Sequence, residues 1–160
     1  VSSLGQLIVW EWRSETHVLK QQGHLVGGTS LAFSPDGRAI VTGGEDGRVK
    51  IWAVQSGFCT VTFSEHDAAV TDVAFSVGEW LGVGVSSLGQ LIVWEWRSET
   101  HVLKQQGHLV GGTSLAFSPD GRAIVTGGED GRVKIWAVQS GFCTVTFSEH
   151  DAAVTDVAFS

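Results

Sequence analysis

Repetition constrains this chain more than any other feature. Residues 1–76 recur without a change as residues 85–160, and only residues 77–84 (VGEWLGVG) occur once. A shorter period lies inside the long one. Gly23-His24, Glu65-His66, Gly107-His108 and Glu149-His150 stand 42 residues apart each time. Aligned without gaps, 23–64 and 65–106 agree at His24/His66, Phe33/Phe75, Gly47/Gly89 and Trp52/Trp94, among others. The unit is therefore a 42-residue module in two alternating versions, A and B. In order, the chain holds the back of a B module (1–22), A (23–64), B (65–106), A (107–148) and the front of a B module (149–160), read together as one domain over 1–160. Periods of this length mark solenoids, propellers or arrays, in which a unit cannot bury its apolar face alone.

The A module reads as four short strands. Thr29 to Ser34 (TSLAFS) is β-rich and runs into Pro35-Asp36-Gly37, where proline presets a turn and glycine accepts a positive φ. Arg38 to Gly43 is a second strand, and Glu45-Asp46-Gly47 is a hairpin signal leading to a third, Arg48 to Val54. Gln55-Ser56-Gly57 turns again into Phe58 to Phe63. No segment carries helical spacing. Runs such as Leu7-Ile8-Val9-Trp10 are apolar at successive positions, as expected of a strand covered on both faces. The B module keeps the plan with other turns: Ser76-Val77-Gly78-Glu79 and Ser87-Leu88-Gly89. Four antiparallel strands in about 42 residues make one propeller blade, so the fold class is all-β.

Composition removes several classes of function. The net charge of −7 disfavours a phosphate-binding surface, so no nucleic-acid partner is expected. No apolar run approaches the ~20 residues of a membrane span, and no membrane partner is expected. Cys59 and Cys143 hold one position in two A modules. Separate modules seldom bring such positions within disulfide reach, which predicts free thiols on buried strands, suited to a reducing compartment.

At Gly-His, Ser-Pro-Asp-Gly, Glu-Asp-Gly and a tryptophan at fixed offsets, the chain resembles the WD40 repeat family over its whole length. LGQLIVWEW, LKQQGH, LAFSPDG and SGFCTVTFSEH carry a closer likeness to a member that serves ribosome biogenesis. The resemblance implies a structural hydrogen-bond tetrad of His24, Thr42, Asp46 and Trp52, repeated as His108, Thr126, Asp130 and Trp136. The B modules depart from it. His66 and Trp94 remain, as do His150 and Trp10 in the divided module, but Gly84 and Leu88 stand where threonine and aspartate belong. The Trp-Asp pair that names the family is replaced by Trp52-Ala53 and Trp94-Glu95.

His24, Thr42 and Asp46 imitate a catalytic triad, yet a buried structural network accounts for them better, since threonine is a poor nucleophile without special activation. His17 and His101 align with Cys59 and Cys143, but one ligand per blade on an outer strand does not converge on zinc. Gly23 to Gly28 (GHLVGG) leads into a strand rather than the helix a phosphate loop needs. Trp12, Trp80 and Trp96 exceed the one-per-module pattern and are expected to pack between blades. No catalytic residue, metal or cofactor is expected.

Blades greasy on both faces must close into a ring of ~4–8. Four modules can close alone or, as the resemblance implies, pair with a second chain into an eight-bladed ring; the expected partner is the chain itself. In the divided module the innermost strand is Val154 to Ser160 and the outer two are Leu7 to Trp12 and Thr16 to Gln21. Strands ~4.8 Å apart leave the first and third unable to pair without the second. This predicts that the protein carries a further copy of VGEWLGVG for the divided module, or that the chain belongs to a longer tandem array. The unchanged duplication, the division inside a blade and the absence of methionine suggest an engineered, self-assembling scaffold. The alternative is a protein–protein interaction module acting in ribosome biogenesis.

Overall fold

The computed structural model describes residues 1–11, 13–14, 16–77, 81–95 and 100–160. Fourteen strands occur in them and no helix: β1 (Gln6–Glu11), β2 (Thr16–Gln22), β3 (Gly28–Phe33), β4 (Ala39–Gly44), β5 (Val49–Ala53), β6 (Cys59–Phe63), β7 (Val70–Phe75), β8 (Leu81–Ser86), β9 (Gln90–Glu95), β10 (Thr100–Gln106), β11 (Gly112–Phe117), β12 (Ala123–Gly128), β13 (Val133–Ala137) and β14 (Cys143–Phe147). They form three four-stranded antiparallel meanders, β3–β6, β7–β10 and β11–β14, and a two-stranded sheet, β1–β2. Each meander is a blade, and the architecture is that of a β-propeller. The turns follow their chemistry. Gly37 and Gly47 sit at φ 69° and 72°, a left-handed conformation that glycine adopts at little cost.

The period-two alternation of strands decides what each blade face meets. Leu7 and Leu19 point toward the first A blade and bury against Ile40 and Trp52. On that blade's other face Val41, Val49, Ile51 and Phe63 bury against Val70, Val73, Ile92 and Trp94 of blade B. Blade B then meets the second A blade through Val85, Leu91, Leu115, Ile124 and Trp136. At ~25 cal/mol per Å² of apolar surface removed from water, these faces supply the driving force for stacking.

Two expectations change. Residues 154–160 form no strand. Val154 and Val157 still lie against Gly127, as Val70 and Val73 lie against Gly43, but among the described residues no second strand stands beside them to complete a ladder. The cysteines are free, yet Cys59 is only half-buried and Cys143 is exposed. β6 and β14 are the outer strands of their sheets, so neither thiol is enclosed. Trp12, Trp80 and Trp96 fall outside the described residues.

Candidate functional site

In each A blade the four tetrad residues come together. β4 supplies Thr42, β5 supplies Trp52, the β4–β5 turn supplies Asp46, and the loop before β3 supplies His24. Asp46 Oδ1 lies 3.0 Å from His24 Nδ1, so Nδ1–H donates to the carboxylate. That leaves Nε2 to accept from the Thr42 hydroxyl at 2.8 Å. The same hydroxyl oxygen accepts from Trp52 Nε1–H at 3.0 Å. Asp46 also accepts from the backbone N–H of Leu25 and of Arg48, both at 3.1 Å. The second A blade repeats the chain through His108, Thr126, Asp130 and Trp136 at the same distances. Gly44 makes room for it, since a Cβ there would fall on the His24 ring.

The electrostatics fit a neutral ring. Burial pushes the His24 pKa below its ordinary value, and the neighbouring Asp46 only partly restores it. For Asp46, burial acts to raise the pKa, but the hydrogen bonds from Leu25, His24 and Arg48 outweigh it and hold the carboxyl below its usual range. His108 and Asp130 behave alike. Thr42 is fully buried and gives its proton to the ring. What this arrangement does is fasten one loop, one turn and two strands to each other at one end of the blade.

Blade B lacks the middle of the chain. Gly84 pairs with Val73 and Ile92, the register that Thr42 holds against Leu31 and Lys50. His66 and Trp94 are buried and meet edge to face at 5.4 Å. Among the described residues, neither nitrogen of His66 nor Trp94 Nε1 has a hydrogen-bond partner. Gln90 approaches the ring without reaching bonding geometry, its amide being committed to Asp67 at 2.8 Å. Burial, with Lys104 adding to it, lowers the His66 pKa to about 4. In the divided module His150 and Trp10 are both exposed, and the Trp10 ring meets that of His17 edge on at 5.9 Å.

Sequence reasoning missed two features. Asp72 on β7 accepts from Ser30 Oγ of the blade before it at 2.6 Å and from Leu115 N–H of the blade after it at 2.9 Å. Ser114 and Asp156 repeat the first contact at 2.8 Å. The signal was the serine and aspartate that alternate at one position of the A and B modules. Leu4, Leu25 and Val26 are exposed at one end of the chain's blades, brought together by Gln22, whose amide donates to Leu4 O and His24 O; Gln106 does the same for Leu88, Leu109 and Val110. Among the described residues no three His, Cys, Asp or Glu side chains gather as a metal site.

Four-stranded blades, two of them pinned internally by His–Thr–Trp and His–Asp bonds, define a propeller repeat protein. The WD domain, G-beta repeat matches residues 14–53 and 98–137, half of the sequence, and the chain belongs to the WD40 repeat family. Each matched unit runs from the outer strand of one sheet to the third strand of the next, β2–β5 and β10–β13. The chain is 58% identical over 100 residues to the periodic tryptophan protein 2 homolog of Dictyostelium discoideum, covering 62% of this chain and 11% of that protein. With the Mus musculus homolog it shares 43% over 139 residues, 86% of this chain and 15% of that one. With the Arabidopsis thaliana protein it shares 34% over 164 residues, 99% and 18%. The chain thus spans under a fifth of these relatives' length. The crystal structure of the computationally designed Ika8 protein is similar with a TM-score of 0.89 and 27% identity, over 99% of this chain and 48% of that one.

Proposed function

We propose that this chain is a non-catalytic, engineered WD40 scaffold that assembles with its own copies into a closed, symmetric propeller. The observation that supports the reading is its similarity, over 99% of its length, to 48% of the computationally designed Ika8 protein, as expected of a chain that supplies half of a larger body. Unchanged duplication supports it, because identical halves favour cyclic symmetry. The Thr42 and Thr126 hydroxyls beside the triad-like His–Asp pairs are buried and held in the tetrads. Light scattering tests it: the mass in solution is expected at twice the 17.0 kDa of one chain. A mass of one chain at every concentration, with the fold intact, rules it out.

The second reading is an interaction module of the kind that serves ribosome assembly, favoured by the 43% identity to the mouse relative. Its surface is the pair of apolar clusters around Leu25 and Leu109. Ribosomal precursor proteins retained by the chain, and lost with Leu25→Asp and Leu109→Asp together, would support it.

A further inference from the structure

We infer that the outer face of the second A blade receives the β1–β2 hairpin of a second copy of this chain, so that the partner's Trp10 stacks on Phe147 beside His150. The inference rests on the self-assembly reading and specifies the contact through which assembly occurs.

The argument is a comparison of identical sequences in unequal surroundings. Phe63 is 5% exposed and stacks on Trp94 at 4.8 Å and 17°, and Trp94 is fully buried. Phe147 has the same sequence neighbours as Phe63, yet it is 46% exposed; Trp10 has those of Trp94, yet it is 60% exposed. Val133 and Ile135 are half-buried where Val49 and Ile51 are buried. One blade face therefore lacks its neighbour, and one hairpin lacks the blade it is shaped to meet. Both belong to one chain, and both stay open in it. Contiguous apolar faces of this kind mark interaction sites.

The other half of the seam shows the same imbalance. Leu115 is 5% exposed because blade B covers it, whereas Leu31 is 40% exposed. Asp72 accepts the Leu115 N–H, and Thr71 Oγ1 donates to Gly112 O at 2.6 Å. Asp156 and Thr155 repeat Asp72 and Thr71 in sequence, and Leu31 and Gly28 repeat Leu115 and Gly112. Placed against the partner's β3, Asp156 meets the partner's Leu31 N–H and Thr155 meets the partner's Gly28 carbonyl. The divided module's His150 and Trp10 thus come from different copies, and their edge-to-face contact exists only in the assembly. All these contacts run between blades, and none passes through the second strand of the divided blade. Two such seams close a pair by a twofold axis.

Trp10→Ala and Phe147→Ala test the seam. Both side chains are largely exposed in the single chain, so circular dichroism of the variants should match the parent. Each variant alone is expected to weaken association at least tenfold, as loss of a central aromatic anchor does. An equimolar mixture of the two should recover pairing, because a mixed pair keeps one unaltered seam. Variants that pair like the parent would leave self-assembly standing and overturn this seam. A mixture no better than either variant would overturn the Trp10–Phe147 pairing. Fluorescence of Trp10, taken as the difference from Trp10→Phe, separates the remaining outcomes. A mass of one chain with Trp10 buried would show closure within the chain and overturn the second copy as occupant. A mass of one chain with Trp10 exposed would sink the seam and the self-assembly reading together.

Discussion

Replacing Thr42 by valine keeps a β-branched shape in β4 and deletes the one group that joins His24 to Trp52. Two buried polar atoms then lose their partner, at about 1–3 kcal/mol each. Thr42→Val is expected to lower stability by ~3 kcal/mol in urea denaturation. Gly84→Thr in blade B is expected to do the reverse. It offers a hydroxyl to His66 and Trp94, and it removes a glycine from a strand interior, for a gain of ~1 kcal/mol. Acid should find the same defect. The His66 ring titrates near 4 in the folded chain against an ordinary 6.5. Between those values the unfolded chain takes up a proton that the folded chain refuses, so stability is intact above pH 6.5 and falls as pH drops toward 4, by on the order of 3 kcal/mol. His66→Gln should flatten that slope in pH-dependent melting, leaving the shallower loss from His24 and His108, whose pKa values are lowered in the same sense. At this scale the sequence was readable through its resemblance to the WD40 family rather than through spacing alone. The resemblance implied the network of His24, Thr42, Asp46 and Trp52, and Gly84 and Leu88 marked the departure from it in the B modules. The link made by Asp72 left only a weaker mark, the alternation of serine and aspartate at one module position, because its partners Ser30 and Leu115 lie on two other blades and which blades meet is a tertiary fact.

Strands follow the same division between local and distant causes. Turn residues placed β3 to β6 within one or two residues of their expected bounds, since Pro35, Gly37 and Gly47 act through their own backbone. Residues 154–160 have the apolar pattern of β7 and yet form no strand, because a strand is defined by the neighbour that accepts its hydrogen bonds. The exposure of Cys143 has a similar origin: its residues are those of Cys59, and only the covering differs. Asp72 and Asp156 turn this into a measurement. Both accept from a serine, Ser30 or Ser114, but only Asp72 also holds a following blade through Leu115. Hydrogen bonds to charged groups contribute about 1.5–3 kcal/mol. Asp72→Ala is therefore expected to destabilise the single chain by roughly 2 kcal/mol more than Asp156→Ala. Equal losses would mean that the contact to Leu115 N–H contributes nothing.

Across the whole molecule, the two A blades are a built-in control. They share every residue from Gly23 to Phe63 and from Gly107 to Phe147, so propensity, turn chemistry and tetrad are constant. Only the neighbours differ: the first A blade lies between the β1–β2 sheet and blade B, while the second has blade B on one side and little on the other. Repeat proteins are stable as sums of intrinsic terms and nearest-neighbour interfaces. Any difference in local stability between the two copies must then come from the interface term alone. Amide exchange in a segmentally labelled chain, followed by NMR at dilution, should show β5 better protected than β13, although their sequences are identical. The gap should be set by the apolar surface that Phe63 buries and Phe147 does not, and it should narrow as concentration rises and assembly covers the open face. If β5 and β13 exchanged alike at every concentration, blade faces would contribute little to stability. The fold would then be held within each sheet, by ladders and tetrads, and a propeller would have no physical reason to close.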